Sequence, residues 1–208
     1  MSKKAGAVSA ETKERILKAA RSEFAARGFQ GTSLRRICSE AGVTTGALYF
    51  FFDGKDDLFA SVLSEITGPF MEFMKGHYES EHEFLNKSPV ANAEEDFEIG
   101  VVLIDFYFQN RQTWDILLAH QNHPYVQAFM DSFIDYSTDH YMLILNMAGQ
   151  AHLRKHPVDR FALHQFVHMQ VDAMLTLVSH NFERDEMIRH SRIVTKMLKG
   201  AFQALLTD

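Results

Sequence analysis

Residues 32–58, TSLRRICSEAGVTTGALYFFFDGKDDL, decide the fold. Gly42 divides two short runs of helical periodicity. Before it, Leu34, Ile37 and Cys38 share one face of a helix over about 33–41, with Thr32 or Ser33 placed to cap it. After it, Thr44 caps a helix reaching about Phe50. Glycine adopts a positive φ at low cost, so the spacing predicts a tight helix-turn-helix in which Leu34, Ile37, Val43 and Leu48 close a small core. In such a unit the second helix enters the major groove and its first residues meet base edges, which turns Thr44, Thr45, Gly46 and Ala47 toward DNA. A plain helical hairpin with no DNA role has the same spacing.

Working outward, a first helix starting near Ser9 or Ala10 carries Ile16, Leu17, Ala20 and Phe24 on one face and stops at Gly28, after which Phe29 packs back. A fourth helix opens at Gly54, with Asp56 and Asp57 in its first turn against the positive end of the dipole, and runs toward Leu85 with a bend at Gly68-Pro69. Asn86–Ala93 reads as a loop. Further helices are expected near 94–110, 112–121, 124–150, 158–181 and 184–206, with breaks at His123-Pro124 and His156-Pro157. No run alternates apolar and polar residues long enough for a sheet, so the expected class is all-α.

Composition bounds what such a chain can be. With 208 residues, 46% of them hydrophobic and 23% charged, it can bury a core, and a disordered or collagen-like chain is excluded. The start Met1-Ser2-Lys3-Lys4 lacks the apolar stretch of a signal peptide, and the single Cys38 cannot form an internal disulfide. The expected location is therefore a reducing cytoplasm. The most apolar stretch, Ile99 to Phe108, is interrupted by Asp105 and too short to span a membrane. Charge is unevenly spread. Residues 1–55 hold ten Lys/Arg against five acidic residues, a net +5, whereas residues 56–208 hold eleven against twenty-two, a net −11. A basic module on an acidic body points to an anionic partner for the module, with nucleic acid the first candidate.

Thr32-Ser33-Leu34, Ile37, Ala41-Gly42-Val43-Thr44-Thr45-Gly46-Ala47-Leu48-Tyr49, Phe52 and Lys55-Asp56-Asp57-Leu58 stand together in the register of one motif. This pattern, over roughly residues 10–60, resembles the DNA-binding domain of the tetracycline-repressor (TetR) family of bacterial transcription regulators. The resemblance implies a homodimer of nine-helix subunits, each with a DNA-binding domain (residues 1–54) and an effector-binding and dimerisation domain (residues 55–208). It implies a palindromic double-stranded operator as one partner and a small-molecule effector as another. Tyr49 and Lys55 fall where the family contacts operator phosphates, Thr44 and Thr45 open the recognition helix, and Gly46 lies close to the bases. Arg35, Arg36 and the arm Lys3-Lys4 add positive charge. The chain departs from the family at Phe50-Phe51, where many members have a polar aromatic residue, and Phe51 cannot hydrogen-bond a phosphate.

In the body, Val167, Val171, Met174 and Val178 on one late helix, with Val194, Met197, Leu198 and Ala201 on the next, give more apolar surface than one subunit covers, and a four-helix dimer interface is expected. The inward face of 94–110 reads Phe97, Val101, Ile104, Asp105 and Phe108, while Phe133, Tyr136 and His140 share a face of 124–150. The effector site is expected inside the body, among the helices near 54–85, 94–110, 112–121 and 124–150, with these two faces lining it, for a largely apolar or aromatic molecule that can also be cationic. A carboxylate in an apolar stripe needs a partner, and Arg111, His140 or a cationic ligand are the candidates for Asp105. All eleven histidines follow residue 76, in pairs such as His120/His123, His152/His156 and His164/His168. Gln165 stands where a metalloprotease motif has its glutamate, and no metal or other cofactor is expected. No nucleophile elbow or phosphate-cradling loop is present, so no catalytic residue is assigned. A regulator-like fold acting as a protein-interaction module without operator binding is the alternative.

Overall fold

The computed structural model describes residues 2–87, 93–147 and 158–207, and the regular secondary structure among them is entirely helical. The helices are α1 (Ser2–Gly31), α2 (Leu34–Ala41), α3 (Thr45–Phe51), α4 (Lys55–Lys87), α5 (Ala93–Gln109), α6 (Arg111–Ala119), α7 (Pro124–Met147), α8 (Arg160–Ser179) and α9 (Arg184–Thr207). The all-α expectation holds, and α5 to α9 fall within a few residues of their expected bounds.

The differences have local causes. α1 begins at Ser2 instead of Ser9 or Ala10, because Lys3, Lys4, Ala5 and Ala7 favour the helix and Gly6 alone opposes it only weakly. Gly28 does break α1, with φ 65° and ψ 177°, but helical turns resume and continue to Gly31. α4 runs on through Pro69 to Lys87, so Asn86 and Lys87 belong to a helix and not to the expected loop. α7 starts on Pro124, whose missing N–H is one the first turn leaves unbonded anyway. The expected break at His156-Pro157 lies outside the described residues.

Packing separates two units, Met1–Phe70 with Asn110–Ala128, and Met71–Gln109 with Phe129–Asp208. The first joins α1, α2 and α3 to the start of α4, to α6 and to the first residues of α7. Its core is fully apolar at the centre. Ile16, Ala20, Phe24, Ile37, Leu48, Leu58, Phe59, Val62, Leu63 and Leu117 are each no more than 1% exposed, with Phe24, Phe29 and Phe59 in mutual ring contact. Burying each of these side chains except that of Ala20 contributes about 1.5–3 kcal/mol before chain entropy is set against it.

In the second unit α9 packs against both α5 and α8, and the interior is more polar. Tyr78 lies flat on His140 (3.7 Å between centroids, 8° between planes) and near Tyr136, and it hydrogen-bonds Ser137 at 3.0 Å. Burial pushes the Tyr78 phenol up to about 12. His140 then bridges Glu81 (3.2 Å) and His82 (2.9 Å). Burial pushes the Glu81 carboxyl up, but its hydrogen bond with His140 and the neighbouring imidazoles outweigh that and hold it below the usual range.

Asp105 takes neither Arg111 nor His140. Arg184, at the start of α9, donates to both its oxygens at 2.5 and 3.0 Å, in a pair open to solvent. The Arg184 hydrogen bond holds the Asp105 carboxyl below the usual carboxylate range. A depressed carboxylate contributes stability above its unfolded pKa and loses it as pH falls through the folded one. Asp105→Asn should therefore lower the melting temperature at pH 7, and the gap from the parent should close as pH drops through the carboxylate range. Thermal melts of the two proteins across that range check this.

Candidate nucleic-acid interface

The helix-turn-helix is held to α1 by a carboxylate. Glu23, on the inner face of α1 and 7% exposed, accepts from Arg36 Nε at 2.6 Å and from the Ser33 N–H at 3.3 Å, and Arg27 approaches its other oxygen at 3.4 Å. Burial pushes the Glu23 carboxyl up, yet the Arg36 and Ser33 hydrogen bonds with the charges of Arg36 and Arg27 bring it below its ordinary value. Arg36 also donates to the Gly31 carbonyl at 2.6 Å. Its guanidinium ties α2 to α1 although the side chain stays exposed, as Arg35 beside it is.

The expected caps divide in the same way. Neither Thr32 nor Ser33 caps α2 through its side chain; the Thr32 hydroxyl donates to the Gly28 carbonyl at 2.7 Å, and Ser33 is the N-cap without a side-chain bond. Gly42 ends α2 at φ 64° and ψ 39°, its N–H bonding Ser39 O at 3.3 Å while the Val43 N–H bonds Cys38 O at 2.9 Å. Thr44 caps α3 by accepting the Ala47 N–H at 3.1 Å. Ile37, Cys38 and Leu48 are buried as expected, with Leu34 and Val43 half-buried. The turn thus fixes α3 with Thr44, Thr45 and Gly46 on the surface.

The outer face of α3 is unusually bare. Tyr49 is 58% exposed and Phe50 78%, the latter edge-on to a half-buried Phe51 at 5.0 Å. A Cβ on Gly46 would meet only Thr44 Oγ1, at an ordinary 3.8 Å, so the protein's own packing does not demand glycine there. Lys55, at the start of α4, sets its ammonium 4.6 Å from the Phe29 ring centroid and 3.5 Å from the Gln30 carbonyl. Thr44, Thr45, Gly46, Tyr49 and Lys55 are thus brought to the surface of one unit.

The other expected sites are less unified. Phe97 holds the Arg192 guanidinium 4.1 Å from its ring centroid, and Asp105 pairs with Arg184, so two positions of the α5 stripe are engaged by α9. Tyr136 and His140 join the Tyr78 cluster with α4. Val101, Phe108 and Phe133 are half-buried. Of the expected dimer residues, Val167 is 1% exposed and belongs to the protomer core, Met174 (37%) and Met197 (70%) are exposed, and Val171, Val178, Val194, Leu198 and Ala201 are half-buried. His164 and His168 bring their Nε2 atoms to 3.2 Å, but no group of three His, Cys, Asp or Glu among the described residues could hold a metal ion. His152 and His156 lie outside the described residues.

Sequence reasoning missed Glu23, Arg184, Glu81 and His82. Glu23 had a signal, since an acid one residue before Phe24 and four before Arg27 interrupts the inner face of an amphipathic helix. Arg184 had none, because nothing local to it points 79 residues back to Asp105.

Comparison with known proteins bears on this surface. Residues 16–62 match the family described as bacterial regulatory proteins, tetR family. The repressor BepR of Brucella suis is 44% identical over 68 residues, 33% of this chain and 32% of BepR. The chain thus matches about a third of the length of that relative. Two solved structures match at TM-scores of 0.61 and 0.59, each 19% identical to this chain. One is SmeT, the repressor of the multidrug efflux pump SmeDEF of Stenotrophomonas maltophilia, covering 92% of this chain and 91% of its own. The other is the transcriptional regulator FadR of Bacillus subtilis, in complex with stearoyl-CoA, covering 89% and 96%. At that identity the likeness extends to the fold.

Removing Glu23 would strand two arginines and the Ser33 amide. Glu23→Ala should destabilise the protein by about 1–2 kcal/mol, the scale of a lost charge-assisted hydrogen-bond set at a partly exposed site. Chemical denaturation should show it as a lower midpoint at unchanged slope.

Proposed function

We propose that this chain, which belongs through residues 16–62 to the tetR family of bacterial regulatory proteins, is a cytoplasmic transcriptional repressor that binds a palindromic operator as a homodimer and is released by a small, largely apolar effector. The observation that carries the reading is the bare face of α3. Thr44, Thr45 and Gly46 sit at its exposed start beside an exposed Tyr49, within a segment of net charge +5. Inserted in the major groove, the small residues let the backbone approach base edges, while Tyr49 and Lys55 meet phosphates on either side. Arg35 adds charge without a fixed contact. BepR, 44% identical over 68 residues, is itself named a repressor.

Dimerisation is read from α8 and α9. Phe161, Met169 and Met174 on the first and Ile193 and Met197 on the second leave large apolar side chains in solvent. Ile193, Met197 and Gly200 follow one another at the spacing of a single helix face, which suits close packing against a partner helix. For the effector, the aromatic residues of the second unit offer apolar partners, namely Tyr78, Tyr136 and His140 and the mutually touching Tyr141, Phe166 and Phe202. A lipid thioester bound to a regulator of this fold is consistent with that class. α4 is covalently continuous from the phosphate-facing Lys55 to Glu81 and His82, so a ligand that prefers one setting of α4 shifts the population that binds DNA. A hundredfold loss of operator affinity requires about 2.7 kcal/mol of such preference. No helix among the described residues is long and apolar enough to cross a membrane.

Gel-shift titration of a duplex selected by the chain from a random library tests the reading. Specific binding should survive excess unrelated DNA; its absence would favour a protein-interaction module. Lys55→Ala should weaken binding to all sequences and make the slope of log affinity against log salt shallower by about 1, whereas changing Thr45 should alter which sequences are selected. Met197→Glu should shift the oligomer toward monomer in light scattering.

A further inference from the structure

Between Gly28 and Phe29 a helix is broken, and the backbone donor freed by the break is held from far along the chain. With Gly28 at φ 65° and ψ 177°, the Phe29 N–H can no longer reach the carbonyl four residues back. Its acceptor is Nε2 of His120, 91 residues away, at 2.8 Å. The other nitrogen, Nδ1, lies 2.7 Å from the Ile116 carbonyl. A carbonyl can only accept, so Nδ1 carries the proton and Nε2 offers its lone pair. The imidazole is neutral and in one tautomer. Its ring is wedged between the Phe59 edge (5.4 Å, 70°) and Gly28, where a Cβ would stand 3.3 Å from Nε2.

We infer that His120 is a positioning residue for DNA binding, a latch that joins the entrance of the helix-turn-helix to the end of α6 only while its imidazole is neutral. The inference rests on the DNA-binding reading given above for its functional consequence, and on geometry for the latch itself. Phe29 leads directly into Thr32 and Ser33, which are tied back to Gly28 and Glu23, so the position of Phe29 sets where α2 begins. Protonation puts a hydrogen on Nε2 and aims two donors at each other. The backbone N–H cannot turn acceptor, so the bond is lost.

The surroundings make this specific to His120. His123, three residues on, holds the opposite tautomer: its Nδ1 accepts the Tyr125 N–H at 3.2 Å, which leaves a proton on Nε2 facing Asp56 at 3.4 Å. That Nε2 is buried and makes no hydrogen bond, so His123 holds no backbone donor of the Gly28 break. His123 from the same turn, with Asp56 and Lys55 from the start of α4, are the titratable and charged groups around the Phe29–Phe59 pair, and α1 presents the backbone of Gly28 and Phe29. α6 faces the ring with the Ile116 carbonyl.

The experiment uses the full chain and the duplex it selects from a random library at pH 7.5. Operator affinity is measured from pH 7.5 to 5.5 for the parent, His120→Gln and His120→Phe, together with hydrogen exchange at the Phe29 amide. Glutamine can accept from Phe29 and donate to Ile116 but cannot titrate. It should keep the parent affinity at pH 7.5 and stay flat on acidification, while the parent loses about tenfold more than the variant, the scale of one unsatisfied buried donor. His120→Phe should lose about tenfold already at pH 7.5, and the protection factor of its Phe29 amide, the rate relative to an unstructured amide at the same pH, should fall, as the parent's does at pH 5.5 but the glutamine variant's does not. Equal pH profiles for parent and His120→Gln, or a Phe29 amide equally protected in parent and His120→Phe, would overturn the latch. Should His120→Phe not fold, the comparison of parent with His120→Gln decides alone. Should no duplex be selected, the DNA-binding reading fails, and Phe29 exchange against pH still tests the latch.

Discussion

A helix that must stop and turn at residue 28 leaves backbone groups without their regular partners, and the entrance to the helix-turn-helix is arranged around satisfying them. The Gly28 carbonyl receives the Thr32 hydroxyl, the Ser33 amide goes to Glu23, and the Phe29 amide goes to His120. Each buried backbone donor left unmatched would cost about 1–3 kcal/mol, a large share of the net stability of a small domain. Three unrelated side chains therefore fix the angle at which α2 leaves α1. Glu23 adds the charge that holds Arg36, and α6 supplies the histidine. α3 inherits its position from these contacts, because between them and Thr44 only α2 and the Gly42 turn intervene.

The two units place their buried polar groups differently. In the first, the central side chains are apolar and almost wholly enclosed, which favours one rigid setting for α3. In the second, Ser137, Thr138 and His140 are buried, and Glu81 and His82 beside them are half-buried; most of their polar atoms are matched within the cluster. A polar network of this kind is stable only while every member keeps its partner. Such an interior can answer a ligand that replaces one partner by another, where an all-hydrocarbon interior responds chiefly to shape.

How much of this is legible in the sequence depends on how far apart the interacting residues lie. The turn at Gly42, the cap at Thr44, the start of α7 at Pro124 and the apolar stripes of α1 to α3 are local patterns, and each could be read from residue type and spacing. The fate of the charged residues could not. Arg35 and Arg36 are adjacent, identical in type and both exposed, yet Arg36 is bound to an acid 13 residues earlier in the chain. Asp105 likewise announces that it needs a partner, but which arginine or histidine provides it depends on how α9 returns along α5. Val167 fits the apolar stripe of its helix as well as its neighbours do, and only three-dimensional packing shows that this stripe turns inward at that residue.

Histidine at position 120 shows why such long-range choices matter for function. A serine or asparagine in its place could also accept a hydrogen bond, if it could reach, and would do so at any pH. Imidazole differs because its acceptor atom is the site that protonation removes, and because its second nitrogen, bound to Ile116, prevents the ring from answering by switching tautomer. The contact is therefore conditional in a way that the Glu23 and Thr32 contacts are not. Of the three ties that set the entrance to the helix-turn-helix, two lie within the α1–α2 segment itself, and the third comes from α6. That hydrogen bond joins α6 to the entrance of the helix-turn-helix alongside the apolar packing of α6 on α1, and the helix break at Gly28 is what makes the bond necessary.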